Sequence, residues 1–320
     1  MEIWVVRHGE TVENLQGIIQ GHRPGKLSEN GILQAKFTGP VLTKQRFKHI
    51  YVSDLGRTVE TYEAMGFGFR KHKPPVTFTS LLREKGGGIL EGAEMSKWDQ
   101  FAALSGKDPR EFHPSEGESW EIVMHRADAF LTYLIDTVLR SKKVDLQAIE
   151  KSFEIKKHVI PHESQTNEPQ KINIDAAEQK EERLIQEQPK KDDEKQNNME
   201  ALQIQGSPNE ENAGLINSKQ AKKSSVLSFF KKFFCCKCLS SEETSSTRSP
   251  PKILVITHGG FVMELFNAIA WRQDKRKPVL RNDTLNCSIN VIKVTLGRNG
   301  KENFKVIRKN DVSHLQGKLP

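Results

Sequence analysis

Two histidines, each set directly after an apolar run, carry the chemistry of this chain. Ile3-Trp4-Val5-Val6 leads into Arg7-His8-Gly9-Glu10, and Ile253-Leu254-Val255-Ile256-Thr257 leads into His258-Gly259-Gly260. Short apolar runs rich in β-branched residues read as buried strands. Two such strands would deliver two imidazoles to the carboxyl ends of a sheet, where open α/β sheets bind ligands. A nucleophilic imidazole can take a phosphoryl group directly, splitting one hard displacement into two easier ones. Such a site must neutralise charge spread over three phosphoryl oxygens, which suits arginine forks and histidine donors. It also needs a proton source for the leaving alkoxide. Arg7 adjoins the first histidine. Arg57 follows Ser53-Asp54-Leu55-Gly56 at the start of a predicted helix, whose free amides favour anions. Glu84 stands in Leu82-Arg83-Glu84, ahead of Gly86-Gly87-Gly88.

The elements that must position these residues alternate as an α/β domain does. A strand at 3–6 is followed by a loop through Gly21 and Gly25, then by a helix that Ser28 can cap. Ile32, Ala35 and Leu42 supply its buried side, and Gly39-Pro40 is expected to kink or break it. A second strand over 49–53 precedes a helix from Arg57 to Met65, and residues 74–92 read as a loop with one strand. Trp120, Val123, Ala127, Phe130, Leu134 and Val138 recur at helical spacing and predict a long helix from Glu118 to about Arg140. Beyond residue 250 the pattern is strand 253–257, helix 260–271 and strands 286–295 and 304–308.

Between these two blocks the composition changes. Residues 141–250 are rich in Gln, Asn, Glu, Lys and Ser and show no sustained period before Val226, the signature of a polar, largely disordered insertion. The expected organisation is one domain formed by 1–140 plus 251–320, interrupted by 141–250 at a surface loop where length costs little entropy. The chain carries 49 basic and 41 acidic residues, a net +8; the insert holds 18 of each, so the whole excess belongs to the folded part. A basic domain points to an anionic partner. No Lys/Arg run interleaved with aromatics marks a nucleic-acid face, so nucleic acid is not expected. The amino terminus enters a strand at once, without the pattern of a signal peptide, and no apolar segment approaches the ~18–20 residues that span a bilayer. Four cysteines, three of them at Cys235, Cys236 and Cys238, make no disulfide framework. They point to a reducing, cytoplasmic setting.

Taken together, these motifs resemble the histidine phosphatase superfamily, the phosphoglycerate-mutase-like proteins. Arg7-His8-Gly9-Glu10-Thr11 with Asn14 and Gln20-Gly21 resembles its opening signature, and Leu27-Ser28 with Gly31 and Gln34-Ala35 its first helix. Ser53-Asp54-Leu55 with Arg57-Thr58 and Thr61 resembles its second arginine motif, and Leu82-Arg83-Glu84 with Glu91-Gly92 its acid/base segment. Glu116-Gly117-Glu118-Ser119, His258-Gly259, and Asn310-Asp311 with His314-Leu315 complete the series. Within the superfamily the chain is most similar to TIGAR-type fructose-2,6-bisphosphatases, which also carry a charged insert before the second histidine strand. The resemblance implies a three-layer α/β/α sandwich with a mostly parallel central sheet. It implies His8 as the phosphorylated nucleophile and Glu84 as proton donor and acceptor. Arg7, Arg57 and His258 would bind the transferred phosphate, aided by Asn14 and Gln20-Gly21, with no metal or other cofactor. The implied substrate is a small phosphorylated metabolite, fructose 2,6-bisphosphate first. A phosphoglycerate mutase or a broad-specificity phosphatase is the enzymatic alternative, and a membrane-tethered phospho-binding scaffold the non-enzymatic one.

Other residues take plainer readings. Glu10 either orients its loop or caps a backbone group, and a structural part is expected of it. Glu118 and Ser119 are expected to begin the long helix, with the resemblance also allowing Ser119 a place behind the site. His22, His49, His72, His113, His125, His158 and His162 lack ligand spacing and read as ordinary surface or core residues. Arg23 and Lys26 either contact a second phosphate or are simply solvated. In the insert, Phe229-Phe230-Lys231-Lys232-Phe233-Phe234 beside Cys235, Cys236 and Cys238 fits reversible S-palmitoylation and peripheral attachment to an acidic leaflet. An unmodified apolar patch is the equal alternative.

Overall fold

Alternation along the strands decides how the domain is layered. In the first strand, β1 (Glu2–Arg7), Ile3 and Val5 face one side of the sheet while Trp4 and Val6 face the other, and all four are buried. A strand buried on both faces needs helices on both. The computed structural model describes residues 1–69, 73–158, 249–279 and 283–318 and supplies them. The chain divides into two units, Met1–Pro161 with Ser246–Pro320, and His162–Ser245. The second lies wholly outside the described residues, and with it Cys235, Cys236 and Cys238.

After β1 come a short helix α1 (Val12–Leu15), helix α2 (Glu29–Thr43), strand β2 (Phe47–Ser53), helix α3 (Gly56–Ala64) and strand β3 (Val76–Thr79). Helices α4 (Met95–Ser105), α5 (Trp120–Leu134) and α6 (Leu146–His158) follow. Strand β4 (Lys252–Thr257), helix α7 (Gly259–Asp274) and strands β5 (Ile289–Leu296) and β6 (Glu302–Asp311) complete the described chain. The sheet order is β3-β2-β4-β1-β5-β6. Its first four strands pair in parallel, and β5 runs antiparallel to β1 and β6. On one face Ile3, Val5, Tyr51 and Val255 pack against Val123, Phe130 and Leu134 of α5 and Phe261 and Leu265 of α7. On the other, Trp4, Val6, Ile50, Val52 and Ile256 pack against Ala35 and Leu42 of α2 and Met65. This is the expected α/β/α sandwich.

Three details depart from the sequence reading. Helix α2 runs through Pro40 without a break. Proline there removes one helical hydrogen bond, yet the flanking Thr38, Gly39 and Leu42 are buried. A Cβ at Gly39 would stand 2.2 Å from the Met65 carbonyl, so close packing on the α3 end holds the turn in place. Second, α5 ends at Leu134 and continues as a π-helical turn over Ile135–Leu139. Third, the part of the polar stretch that is described carries helix α6, whose Leu146, Ile149 and Phe153 pack on the α5 side of the core. Their i, i+3, i+7 spacing is helical, but only three apolar positions stand among many charges. The remainder of the stretch to residue 248 lies outside the described residues.

Candidate active site

Strand register alone brings the two histidines together. Strands β1 and β4 are parallel neighbours with Arg7 opposite Thr257, so the next residue on each is His8 and His258. The His8 amide donates to the Thr257 carbonyl (2.9 Å), and the rings stand 5.2 Å apart at 59°. Strand β2, next to β4, ends at Ser53, whose Oγ is hydrogen-bonded to His258 Nε2 at 2.8 Å. Three adjacent parallel strands therefore end on one site. Gly9 lets the chain turn away from β1 tightly, since a Cβ there would meet the Gly31 carbonyl at 2.5 Å. The Gly9 amide donates to Thr61 Oγ1 (3.0 Å), and that hydroxyl donates to the Arg57 carbonyl (2.6 Å), coupling the first histidine loop to α3.

The hydrogen bonds set the imidazole tautomer. His8 Nδ1 lies 2.7 Å from the Gly9 carbonyl, which can only accept; the proton is on Nδ1 and the Nε2 lone pair is free. Burial holds the His8 pKa well below its usual value, and the Arg57 and Arg7 guanidiniums push it the same way. Burial does the same to His258, with Arg57 next in effect. Arg57, 1% exposed, donates to the Arg23 carbonyl (2.7 Å) and the Gly21 carbonyl (2.9 Å). Its own pKa is pushed down to about 10 by burial, against the pull of Glu84 and Glu13. Arg7 donates to the Thr284 carbonyl (2.5 Å) and is likewise lowered by burial. Two guanidiniums anchored by carbonyls rather than carboxylates leave a cationic site that an incoming dianion would complement.

These shifts predict a pH dependence of stability. Both rings stay neutral in the folded chain well below pH 6.5, whereas each titrates near ~6.5 when unfolded. Below that pH the unfolded state binds more protons. The stability tied to neutral rings is therefore complete above ~7 and lost as pH falls through ~6.5 toward the depressed folded values. Urea midpoints are expected to fall between about pH 7.5 and about pH 5, and less steeply in a His8→Gln, His258→Gln double variant. Equal slopes would contradict the assignment.

Glu84 is held by backbone amides: Lys85 N donates to Oε1 (2.9 Å) and Gly260 N to Oε2 (3.0 Å). A Cβ at position 260 would lie 2.1 Å from Oε1, so the second glycine after His258 is what lets α7 begin against this carboxylate. Its loop is clamped by Arg126, which no sequence motif marks, and by Glu118 and His22, for which plainer roles are expected from the sequence. Arg126 of α5 donates to the carbonyls of Leu81 and Arg83 (both 2.9 Å), to that of Glu84 (3.1 Å) and to Glu118 Oε2 (2.9 Å). Glu118, 1% exposed, also accepts from Gly86 N (2.9 Å); it is a buried clamp, while Ser119 caps α5 through Ile122 N. His22 is no ordinary surface residue: its Nε2 donates to the Glu84 carbonyl (2.9 Å) and lies 3.4 Å from Glu118. Thr257 Oγ1 donates to the Leu82 carbonyl (2.7 Å), tying the end of β4 to the same loop.

Arg7, His8, Asn14, Gln20, Gly21, Arg57 and Glu84 all line one cavity of about 600 Å³. His258 is fully buried beside His8 and is not among the lining residues; its Nδ1 has no hydrogen-bond partner among the described residues. Glu10 accepts from Ser28 and Asn30, the structural role expected of it. Arg23 and Lys26 are exposed and do not line the cavity. The opposite wall comes from α4, which the sequence reading did not find: Met95, Trp98, Asp99, Ala102 and Ala103, with Lys107 and Pro109 beyond it. Among the described residues no group of three or more His, Cys, Asp or Glu could hold a metal ion.

Over residues 3–142 the chain that carries this two-histidine site matches the model of the histidine phosphatase superfamily (branch 1). The chain is similar to fructose-2,6-bisphosphatase TIGAR of Bos taurus, 35% identical over 141 residues, 42% of this chain and 51% of the relative. It thus spans about half the length of the curated relatives it matches. Among solved structures, Bacillus stearothermophilus YhfR superposes with a TM-score of 0.54 at 18% identity, covering 98% of this chain and 99% of that one. A phosphoglycerate mutase from Bacillus anthracis superposes with a TM-score of 0.51 at 18% identity, covering 98% and 95%. These two likenesses establish the fold. No helix among the described residues is long and apolar enough to cross a membrane.

Proposed function

We propose that the chain is a phosphatase that hydrolyses a small phosphorylated metabolite, fructose 2,6-bisphosphate first, through a phosphohistidine on His8. The observation that carries this reading is the free Nε2 of His8, facing one cavity together with Arg7, Arg57 and Glu84. In the first step the Nε2 lone pair attacks phosphorus in line, and the bond to the leaving oxygen breaks with its electron pair. Glu84 gives that oxygen its proton. The positive charge left on the imidazole is stabilised through Nδ1–H on the Gly9 carbonyl. Arg7 and Arg57 hold the equatorial oxygens, and the unpartnered edge of His258 would donate to one of them. In the second step ionised Glu84 takes a proton from water, the oxygen of that water attacks phosphorus, and the N–P bond breaks. Orthophosphate leaves, with His8 neutral and Glu84 protonated again. The similarity to fructose-2,6-bisphosphatase TIGAR supports the choice of first substrate.

The test is the identity of the acceptor. Incubation with fructose 2,6-bisphosphate is expected to release orthophosphate and fructose 6-phosphate at equal rates, with no phosphoryl transfer to added phosphoglycerate. Transfer to phosphoglycerate in preference to water would make the chain a mutase, and release of neither product would contradict the reading.

A further inference from the structure

Lys85 follows Glu84 directly and is 5% exposed. Its Nζ is buried and has no hydrogen-bond partner among the described residues. It lies instead 3.7 Å from the ring centroid of Trp98 and 5.3 Å from that of Trp120. Aromatic faces compensate a desolvated ammonium only in part, and burial pushes its pKa down to about 7, against the pull of Glu118 and Glu84. Lys85, Trp98, Trp120 and Glu84 all line the same cavity. A cavity of about 600 Å³ falls in the range that takes a whole small-molecule ligand rather than one phosphoryl group. The backbone amide of Lys85 also donates to the Glu84 carboxylate, and its side chain lines the same cavity as the group assigned to the leaving oxygen.

We propose that Lys85 binds a second anionic group, phosphate or carboxylate, carried by the leaving alcohol, so that the site selects doubly anionic metabolites over simple monoesters. The proposal rests on the phosphoryl-transfer reading above. An incoming anion supplies the counter-charge that the two indoles lack, and it draws a proton onto the amine wherever the free side chain is partly neutral. The charged and titratable groups around the amine are Glu84 and Glu118, with His113, which feels Lys85, and Asp99 and Lys107 of the cavity wall.

The test compares kcat/KM for fructose 2,6-bisphosphate, 3-phosphoglycerate and p-nitrophenyl phosphate in the wild type and in Lys85→Met. The ratio of each doubly anionic substrate to the aryl phosphate is expected to fall by about tenfold or more in Lys85→Met and to recover in part in Lys85→Arg. A fall for only one of them identifies which anion is held. A ratio within about twofold of the wild type for both overturns the role of Lys85. A measurement on the wild type alone needs no variant to fold. KM for the doubly anionic substrate should rise several-fold between about pH 7 and about pH 8.5 while that for p-nitrophenyl phosphate does not; parallel behaviour overturns the proposal. A wild type that hydrolyses none of the three substrates overturns the phosphoryl-transfer reading itself.

Discussion

Glu84→Gln is expected to lower kcat on an alkyl phosphate by about 10²–10⁴-fold, the usual worth of a positioned general acid or base. The amide keeps the shape of the carboxylate, but its single oxygen can accept from Lys85 N or from Gly260 N and not from both, so one of these two hydrogen bonds is lost. The half-reactions separate that positional cost from the loss of proton transfer. The two half-reactions separate with p-nitrophenyl phosphate, whose leaving group needs little protonation. In Glu84→Gln the first step on this substrate survives, while attack by water on the phosphohistidine still lacks its base. The expected result is a burst of nitrophenolate about equal to the enzyme concentration, followed by slow turnover. A loss confined to KM, or a variant as fast as the wild type on alkyl phosphates, would remove Glu84 from the chemistry.

Arg126→Met is expected to cost about 3–5 kcal/mol of stability, the typical cost of breaking a buried ion pair by removing one partner. The guanidinium and the Glu118 carboxylate are both nearly inaccessible, at 4% and 2%. Deleting the arginine removes the guanidinium from the buried Glu118 carboxylate and one donor from each of three carbonyls of the Leu81–Glu84 segment. Arg126→Lys recovers only part of the loss, because one ammonium cannot serve four acceptors in a fixed fork. Urea denaturation monitored by tryptophan fluorescence reads the stability. Because the clamp also orients Glu84, kcat should fall in Arg126→Lys even where the fold is retained. A cost below about 1 kcal/mol would show that the segment holds itself.

Much of the site could be read from the chain because its residues sit where strands end. His8 and His258 follow apolar runs whose type is unambiguous, and parallel pairing of those runs does the rest. Arg57 and Glu84 lie in short motifs with local turn chemistry. The residues that escaped notice act through contacts no local pattern encodes. Arg126 sits within the α5 stripe and looks like any polar interruption of an apolar face, yet it is 3% exposed and reaches a loop more than forty residues earlier. Lys85 carries no local signal of burial in the chain, and it is α4 that brings Trp98 over it. That helix escaped notice because its apolar residues crowd toward its end, at Phe101, Ala102, Ala103 and Leu104, rather than forming one stripe, and only Phe101 is buried. Pro40 erred the other way: the local penalty is real, but packing of α2 against the sheet and the Met65 carbonyl outweighs it.

The central claim is a covalent phosphoryl group on His8. Rapid acid-free quenching of a single turnover with ³²P-labelled fructose 2,6-bisphosphate, followed by peptide mapping, tests it directly. Acid-labile, base-stable label on the peptide containing His8, absent in His8→Ala and decaying at the rate of orthophosphate release, is the predicted result. Orthophosphate released at the wild-type rate with no label on His8, or a labelled His258 in its place, would contradict it.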